Sequence, residues 1–273
     1  IVNSFKEQRY PVRFLASRVL WRLNMTDYFL IDKGQFRIRF FPSALSAAYW
    51  VDPVGRKDDE VFLSAYLKKC DVFVDVGANI GVLSLVAAAA VGDTGKVISI
   101  EGHPRIFDYL CKNVAMNQYK NITLINAAVG EKKGKICFSD DRSDDLNSVV
   151  PESALEVSMV TLDELVAPEV DCINLLKVDV EGFEKFVFEG ASKVLGITEC
   201  VYFESCEKHF AKYGYSCADI FSLLMDHRFR LYKVNSQLIS PIAFGHCSSF
   251  CENLLAVKDE EHFISRSGFR VTS

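Results

Sequence analysis

No hydrophobic run in the sequence is long enough to cross a bilayer: the longest, residues 82–91, has ten residues, and a spanning helix needs about 20. Basic residues are not in excess, because 31 Lys and Arg are outnumbered by 36 Asp and Glu, for a net charge of −5. Nucleic-acid binding usually needs a basic face, so no nucleic-acid partner is expected. Repeats and low-complexity segments are also absent. A composition of 49% hydrophobic and 25% charged residues predicts an ordinary globular protein with a large core.

Nine cysteines in 273 residues are too few for a disulfide-stabilised scaffold. Four of them lie inside apolar runs: Cys111, Cys137, Cys172 and Cys200. Thiols in such runs are expected to be reduced and buried, and we expect a cytoplasmic protein. His246, Cys247 and Cys251 are an alternative zinc site, but no second ligand pair follows at metal-binding spacing, so we expect no metal.

The N-terminal residues 1–59 are predicted to form an extension packed on the core. Six apolar residues share one helical face there, with Arg13, Arg18 and Arg22 largely off it. The six are Val12, Leu15, Ala16, Val19, Leu20 and Leu23. A basic amphipathic helix can lie on a membrane surface, but packing against the core of its own domain is commoner and is what we expect.

Two short strands are predicted next, at residues 28–31 and 36–41, joined as a hairpin by the turn at 32–34. The sequence begins with Ile1 rather than methionine, so a signal segment or membrane anchor upstream of Ile1 stays an open alternative.

From residue 60 to residue 258, apolar strands alternate with helices. The strands are predicted at 72–76, 96–101, 122–126, 172–180, 199–203, 229–234 and 253–257. This alternation predicts an α/β, Rossmann-like doubly wound domain with a mostly parallel sheet and right-handed crossovers. An inserted strand pair with a polar loop is expected at 127–168, and the polar tail 259–273 is expected to be peripheral.

The stretch from Cys70 to Gly81 reads C-D-V-F-V-D-V-G-A-N-I-G. A buried strand, a turn at Gly77 and a helix start form a ligand cradle, because the helix N-terminus offers free N–H groups and a positive dipole end. A dinucleotide fingerprint needs a second glycine for pyrophosphate to approach, and Asn79 stands in that place. Asp75, two residues before Gly77, suits a ligand that carries an amino group.

Acidic and small residues follow the next strands. Glu101 ends the second core strand about twenty residues after the glycine turn, where a carboxylate binds ribose hydroxyls in nucleotide-binding folds. The alternative is a solvated carboxylate at a strand end. Residues 126–130, N-A-A-V-G, follow the third strand and are small enough for an adenine ring to lie against the backbone.

Charged residues alternate along the fourth strand, where Lys177, Asp179 and Glu181 interrupt an apolar run. Charges are rare in a central strand unless they are paired or functional, and the first and fourth strands flank the switch point where ligands bind. A Lys177–Asp179 ion pair or a solvated edge is the structural alternative. Glu204 ends the following strand beside the same crevice, and His209 is a further candidate only.

These motifs occur together in the order typical of one family. They are D-V-G-A-N-I-G, the acidic Glu101, N-A-A-V-G, D-D-L-N-S at 144–148, T-L-D-E-L at 161–165 and K-V-D-V-E-G-F-E at 177–184. Over residues 36–258 the chain resembles the FkbM family of S-adenosylmethionine-dependent methyltransferases. The resemblance implies a class I fold whose seven-stranded sheet ends in an antiparallel strand. It also implies methylation of hydroxyl groups on sugars or natural products.

The resemblance further implies which residues bind and react. S-adenosyl-L-methionine, with S-adenosyl-L-homocysteine as product, is expected against Asp75, Gly77, Ala78, Asn79, Gly81, Glu101, Gly102, Ala127, Asn147, Ser148 and Asp179. Asn147 and Ser148 would reach the adenine side. The catalytic candidates are Lys177, Asp179, Glu181 and Glu204, with Asp179 as the base for the acceptor hydroxyl.

Several alternatives stay open. A divalent cation bridging Asp179 and Glu204 could lower the hydroxyl pKa instead, although metal-free chemistry is favoured. Methylation of nitrogen or of a protein needs no strong base, and a non-catalytic scaffold that binds the cofactor needs none either. A nicotinamide dehydrogenase is least favoured, because Asn79 interrupts the pyrophosphate turn.

Overall fold

The computed structural model describes residues 9–55, 57–139, 149–150, 155–243 and 245–272. A large mixed β-sheet runs through these residues, with apolar clusters on both of its faces. Within these ranges, no helix is both long enough and apolar enough to cross a membrane.

An N-terminal extension of helices and a hairpin precedes the main sheet. Its elements are α1 Pro11–Arg22, β1 Leu30–Asp32, β2 Arg37–Arg39, α2 Ala44–Val51 and α3 Asp58–Tyr66. β1 and β2 pair antiparallel, which confirms the predicted hairpin. α2 was not predicted. It begins after Ser43, whose hydroxyl accepts a hydrogen bond from the N–H of Ser46 and so caps the helix.

The apolar stripe of α1 packs on the core only in part, which corrects the expectation for most of its residues. Val12, Val19 and Leu23 are 77%, 54% and 61% exposed. Of the stripe, Leu20 is packed against the main core, and Ser17, on the other side of the helix, is buried. Both faces of α1 carry apolar residues, so the hydrophobic pattern alone does not decide which face is buried.

The remaining elements follow in chain order. The strands are β3 Val72–Val76, β4 Lys96–Glu101, β5 Ile122–Asn126, β6 Ala128–Val129, β7 Gly134–Phe138, β8 Val149–Val150, β9 Leu155–Val160, β10 Ile173–Val178, β11 Thr198–Ser205, β12 Arg230–Asn235, β13 Leu238–Pro241, β14 Glu252–Val257 and β15 Arg270–Val271. The helices are α4 Val82–Val91, α5 Pro104–Ala115, α6 Leu162–Val166, α7 Glu184–Glu189, α8 Ser192–Ile197, α9 Glu207–Phe210, α10 Cys217–Asp226 and α11 Glu260–Ser267.

The main sheet has the strand order β15-β13-β12-β14-β11-β10-β3-β4-β5. β5, β4, β3, β10 and β11 are parallel, and β14 pairs antiparallel with β11. The Rossmann-like α/β class with an antiparallel last strand is therefore confirmed. The crossovers from β3 run to β4 and β5 on one side, whereas β10 and β11 lie on the other, which makes the β3–β10 boundary the switch point.

The sheet contains nine strands in the described residues, where seven were expected. The two additional strands, β13 and β15, are short and lie at one edge, so they carry little apolar signal. Because β15 and α11 belong to the tail, that tail is not peripheral. Its Phe263 and Phe269 are each only 1% exposed.

A second, four-stranded sheet with the order β6-β9-β7-β8 forms within the inserted segment. It contains the predicted strand pair as β7 and β9, which are antiparallel. Thr161 and Glu164 form a capping box at the start of α6. The polar loop at 140–148 lies outside the described residues.

The cysteines differ in part from expectation. Cys206 and Cys251 form a disulfide, whereas the other seven cysteines are free. Of the four predicted to be buried, only Cys200 is, and Cys172 is exposed. The zinc alternative is not formed as proposed, because Cys251 is bonded to Cys206 and the Nε2 of His246 lies 2.8 Å from a Glu252 carboxylate oxygen.

The aromatic cluster around Phe62 should dominate the packing of α3 and the tail on the sheet. Its ring lies 4.7 Å from Tyr202, 6.4 Å from Phe263 and 6.0 Å from Phe269, centre to centre. Phe62→Ala leaves a cavity and is expected to lower the free energy of unfolding by about 3–5 kcal/mol in urea denaturation. Phe250→Ala, at a ring that is 87% exposed, is the control. Equal effects of the two changes would contradict this assignment.

Candidate active site

A cavity of about 300 Å³ opens at the carboxyl ends of β3, β4, β10 and β11. Most of the residues singled out in the sequence lie on its wall. They are Gly77, Ala78, Asn79, Glu101, Gly102, Ala127, Lys177, Asp179, Glu181 and Glu204. Residues far apart in the chain meet here because parallel strands bring their carboxyl ends to the same edge of the sheet.

The other predicted cofactor residues are placed differently. Asp75 is fully buried and, like Gly81, is not among the described residues that line the cavity. Gly81 is the N-cap residue, directly before the first residue of α4. Asn147 and Ser148 lie outside the described residues, so their expected role on the adenine side stays a prediction.

The glycine turn after β3 is fixed by backbone geometry. Gly77 has φ of +78°, and a Cβ there would lie 1.8 Å from the carbonyl oxygen of Asp179. Gly81 has φ of +87°, and a Cβ there would lie 2.4 Å from Leu110. At Gly77 both the backbone conformation and the Asp179 backbone exclude a side chain, whereas at Gly81 the backbone conformation favours glycine and the Leu110 side chain would have to shift.

Glu101 holds the turn from the neighbouring strand. Its carboxylate accepts hydrogen bonds from the N–H of Asn79 at 2.9 Å and of His103 at 2.8 Å. Burial raises the pKa of Glu101 to about 7, against these two N–H donors, which lower it. Asn79 itself has φ of +50°, and its side-chain oxygen accepts from the N–H of Ile80. Each carboxylate oxygen keeps a second lone pair that could accept from a ligand hydroxyl.

Asp75 is bonded to the protein rather than directed at the cavity. Its carboxylate accepts from the Ser84 hydroxyl at 2.7 Å and lies 3.2 Å from the Lys177 ammonium. Asp75 and Lys177 are direct neighbours across β3 and β10. The expected contact of Asp75 with an amino group is therefore made by a lysine of the same chain.

Lys177 joins the two strands at the switch point. Its Nζ donates to the carbonyl of Gly77 at 3.0 Å and lies 3.5 Å from the Asp179 carboxylate. Burial alone would lower the pKa of Lys177, but the charges of Asp75 and Asp179 outweigh it and raise that pKa. The ion pair of the structural alternative is thus present, and both of its members also line the cavity.

An acidic wall faces the glycine turn. Ligand atoms of Asp179, Glu184 and Glu204 lie within 4.8 Å of one another, and so do those of Glu181, Glu204 and His209. Burial, followed by the neighbouring carboxylates with Asp179 first, raises the pKa of Glu204 to about 9. Either set could hold a metal ion or, at neutral pH, keep a proton on Glu204.

His209 and Glu184 lie next to these carboxylates but are not among the described residues that line the cavity. The His209 Nδ1 lies 3.4 Å from Glu204 and 3.6 Å from Glu181, and burial lowers the pKa of His209. Glu184 is fully buried, accepts from the N–H of Val180 at 2.9 Å, and has a pKa raised to about 7 by burial. Glu184 was missed as a site residue, although it closes the K-V-D-V-E-G-F-E motif.

The N-terminal extension also contributes residues to the cavity wall. Ala44, Leu45 and Tyr49 of α2, and Asp59 of α3, line the cavity. Asp59 is held there by hydrogen bonds from the Tyr202 hydroxyl and the Asn253 side chain. Nothing in the local pattern marks these residues, because their position depends on how the extension folds over the sheet.

Comparison with known proteins identifies the domain. A family model described as "Methyltransferase FkbM domain" matches residues 75–231, more than half of the chain. This match, together with the glycine turn and carboxylate at the switch point, defines an S-adenosylmethionine-dependent methyltransferase domain. More narrowly, the chain belongs to the FkbM methyltransferase family, as its motifs indicated.

Individual relatives are more distant. The chain is 28% identical over 144 residues to hexuronic acid methyltransferase AglP of Haloferax volcanii, covering 52% of this chain and 58% of AglP. It is 29% identical over 101 residues to a probable cobalt-precorrin-6B C(15)-methyltransferase (decarboxylating) of Sulfolobus acidocaldarius, covering 34% of this chain and 53% of that protein. The chain thus spans little more than half the length of these curated relatives.

Among solved structures, a methyltransferase FkbM from Methylobacillus flagellatus KT aligns with a TM-score of 0.43 at 16% identity, covering 77% of this chain and 52% of that one. Aeropyrum pernix fibrillarin, solved with natively bound S-adenosyl-L-methionine, aligns with a TM-score of 0.42 at 16% identity, covering 70% and 68%.

Gly77→Ala should disrupt the turn through a collision as well as through its backbone angle. We expect the free energy of unfolding to fall by clearly more than the roughly 1–2 kcal/mol that a left-handed backbone costs. Gly34→Ala is a matched control, because Gly34 has φ of +87° but no atom within 4 Å of the added Cβ. Similar losses in urea denaturation would show that the contact with Asp179 has no energetic weight.

Glu184→Gln should change how stability depends on pH. Because its folded-state pKa is raised from 4.5 to about 7, the unfolded chain releases this proton first. The carboxyl therefore destabilises the fold progressively as pH rises from 4.5 to 7, by about 3 kcal/mol in total. Relative to wild type, the glutamine variant should gain that stability above pH 7. Glu189→Gln, on the exposed side of α7, should show no such gain, and a wild-type–variant difference independent of pH would refute the mechanism.

Proposed function

We propose that this protein transfers the methyl group of S-adenosylmethionine to a hydroxyl group of a sugar or glycan, with Asp179 as proton acceptor. The observation that carries the proposal is the position of Asp179. Its backbone contacts the glycine turn at Gly77, and its carboxylate stands on the cavity wall shared with Glu101.

The cofactor half of the site is supported by the turn and by Glu101. The cofactor supplies an electrophilic methyl group on a sulfonium. Glu101 would accept hydrogen bonds from the ribose hydroxyls, and the small Gly102 and Ala127 let a flat ring approach the wall. Binding through the Glu101 carboxylate should weaken as pH falls through about 7, where that group takes up a proton.

The acceptor half is supported by Asp179 and Lys177. The Asp179 side chain is 37% exposed, so it is accessible from the cavity, whereas Lys177 is 7% exposed. A hydroxyl held against Asp179 would pass its proton to the carboxylate as its oxygen attacks the methyl carbon, and the methyl–sulfur bond would break with its electron pair going to the sulfur of the departing S-adenosylhomocysteine. Such general-base assistance contributes about 10²–10⁴-fold. Positioning for in-line attack contributes up to ~7–11 kcal/mol.

The acidic wall favours metal-free chemistry and a neutral acceptor. With pKa values raised to about 9 and about 7, Glu204 and Glu184 hold protons near neutral pH, which relieves the repulsion that a cation would otherwise have to neutralise. Asp179 must be ionised to accept a proton, and its charge would repel a carboxylate on the acceptor. AglP is named for a hexuronic acid, whereas here we propose an uncharged sugar hydroxyl.

The test separates binding from turnover in the intact protein. Asp179→Asn should keep S-adenosylhomocysteine affinity in calorimetry and lower methyl transfer to a panel of neutral glycans by about 10²–10⁴-fold. Glu101→Ala should weaken that affinity by roughly 10- to 100-fold. EDTA should leave turnover unchanged.

Three results would count against the proposal. Full activity in Asp179→Asn would favour a nitrogen or protein acceptor, which needs no strong base. Normal cofactor binding without transfer to any hydroxylated acceptor would favour a scaffold. A loss of activity in EDTA that Mg²⁺ restores would assign the acidic wall to a cation.

A further inference from the structure

Helix α1 carries apolar side chains on a face that nothing in the described structure covers. Val12, Leu15, Val19 and Leu23 are 77%, 47%, 54% and 61% exposed. At 100° per residue these four fall within one narrow stripe. The stripe lies opposite the side of α1 on which Ser17 is buried, so the helix is already fixed to the protein by its other face.

The exposed apolar surface continues beyond the helix. Met25, Tyr28, Phe29 and Leu30 are 43%, 81%, 38% and 47% exposed. Scattered apolar residues on a surface need no explanation, but a concentration in one short segment marks an interaction site. The tyrosine is also suited to a boundary between water and an apolar phase, because its ring is apolar and its hydroxyl is polar.

The same segment is basic in an otherwise acidic chain. Residues 9–25 contain Arg9, Arg13, Arg18 and Arg22 and no acidic residue, whereas the whole chain has a net charge of −5. On the helix, Arg18 and Arg22 lie to one side of the exposed stripe and Arg13 to the other. A central apolar stripe between arginines is the arrangement of a helix that lies in a membrane interface.

We propose that α1 docks the protein on an anionic lipid bilayer, with Val12, Leu15, Val19 and Leu23 inserted at the level of the acyl boundary. The positive charge of the arginines beside the stripe favours an anionic bilayer over a second copy of the chain. Arg9 pairs with Asp52 and Arg13 lies over the Trp50 ring, which leaves Arg18 and Arg22 beside the stripe. A second copy placed on the same face would bring these arginines near like charges, whereas anionic headgroups complement them. The helix lies in the interface and does not span it, since its 12 residues are too few.

Vesicle sedimentation of the full chain tests the proposal. We expect binding to vesicles of equal parts phosphatidylcholine and phosphatidylglycerol, no binding to phosphatidylcholine alone, and weaker binding as salt rises. Leu15→Ser with Val19→Ser should abolish it. Arg18→Glu with Arg22→Glu should weaken it by roughly thirtyfold or more, since each arginine near an anionic surface contributes to the attraction.

Phe250→Ser is the matched control, because it removes an apolar ring that is 87% exposed without touching α1, and its vesicle binding should equal that of wild type. All variants should keep their thermal unfolding temperature, since they change exposed side chains. Absence of wild-type binding to the anionic vesicles would overturn the proposal. So would a dimer in sizing experiments that the Leu15 and Val19 changes dissolve, since the face would then belong to a second copy.

Discussion

The ammonium of Lys177, buried between two carboxylates, is the interaction on which the site depends. It pairs with Asp75 across the β3–β10 boundary, reaches Asp179 at the end of its own strand, and donates to the carbonyl of Gly77. A buried charge is tolerated only when it is paired and hydrogen-bonded. Lys177 therefore fixes the register of the two strands and the path of the turn, and the cavity forms where those are fixed.

This arrangement explains why charges stand inside an apolar sheet. Removing one partner would leave the others uncompensated, which costs far more than the pair contributes when intact. Asp75 is thus a positioning residue: it holds Lys177, and Lys177 contacts both the turn and Asp179, the proposed base. The carboxyl groups near Asp179 avoid mutual repulsion in a different way, because the raised pKa values of Glu204 and Glu184 favour their protonated forms.

The apolar strands and the charged motifs at their ends could be predicted from the sequence, whereas the partners of individual side chains and the buried faces of helices could not. β3, β4 and β5 were predicted at their observed limits because each is a short apolar run bounded by polar or glycine residues. The charged residues of β10 were expected at the switch point and are there. The sequence could not tell that Asp75 turns to a lysine, since strand spacing fixes a face but not a partner. It also could not choose between the two apolar faces of α1, or foresee that Phe263 and Phe269 anchor the tail.

The contact between Gly77 and the carbonyl of Asp179 couples two properties that are usually regarded as separable. Cofactor preference in such folds resides in the turn after the first strand, and reactivity resides at the end of the fourth. Here a Cβ at Gly77 would collide with the Asp179 carbonyl oxygen, so a residue that reshaped the turn would also displace Asp179, the proposed base. Substitutions that change the cofactor preference of the turn would therefore be expected to lower activity at the same time. The coupling depends on a single atom, the Cβ that Gly77 lacks.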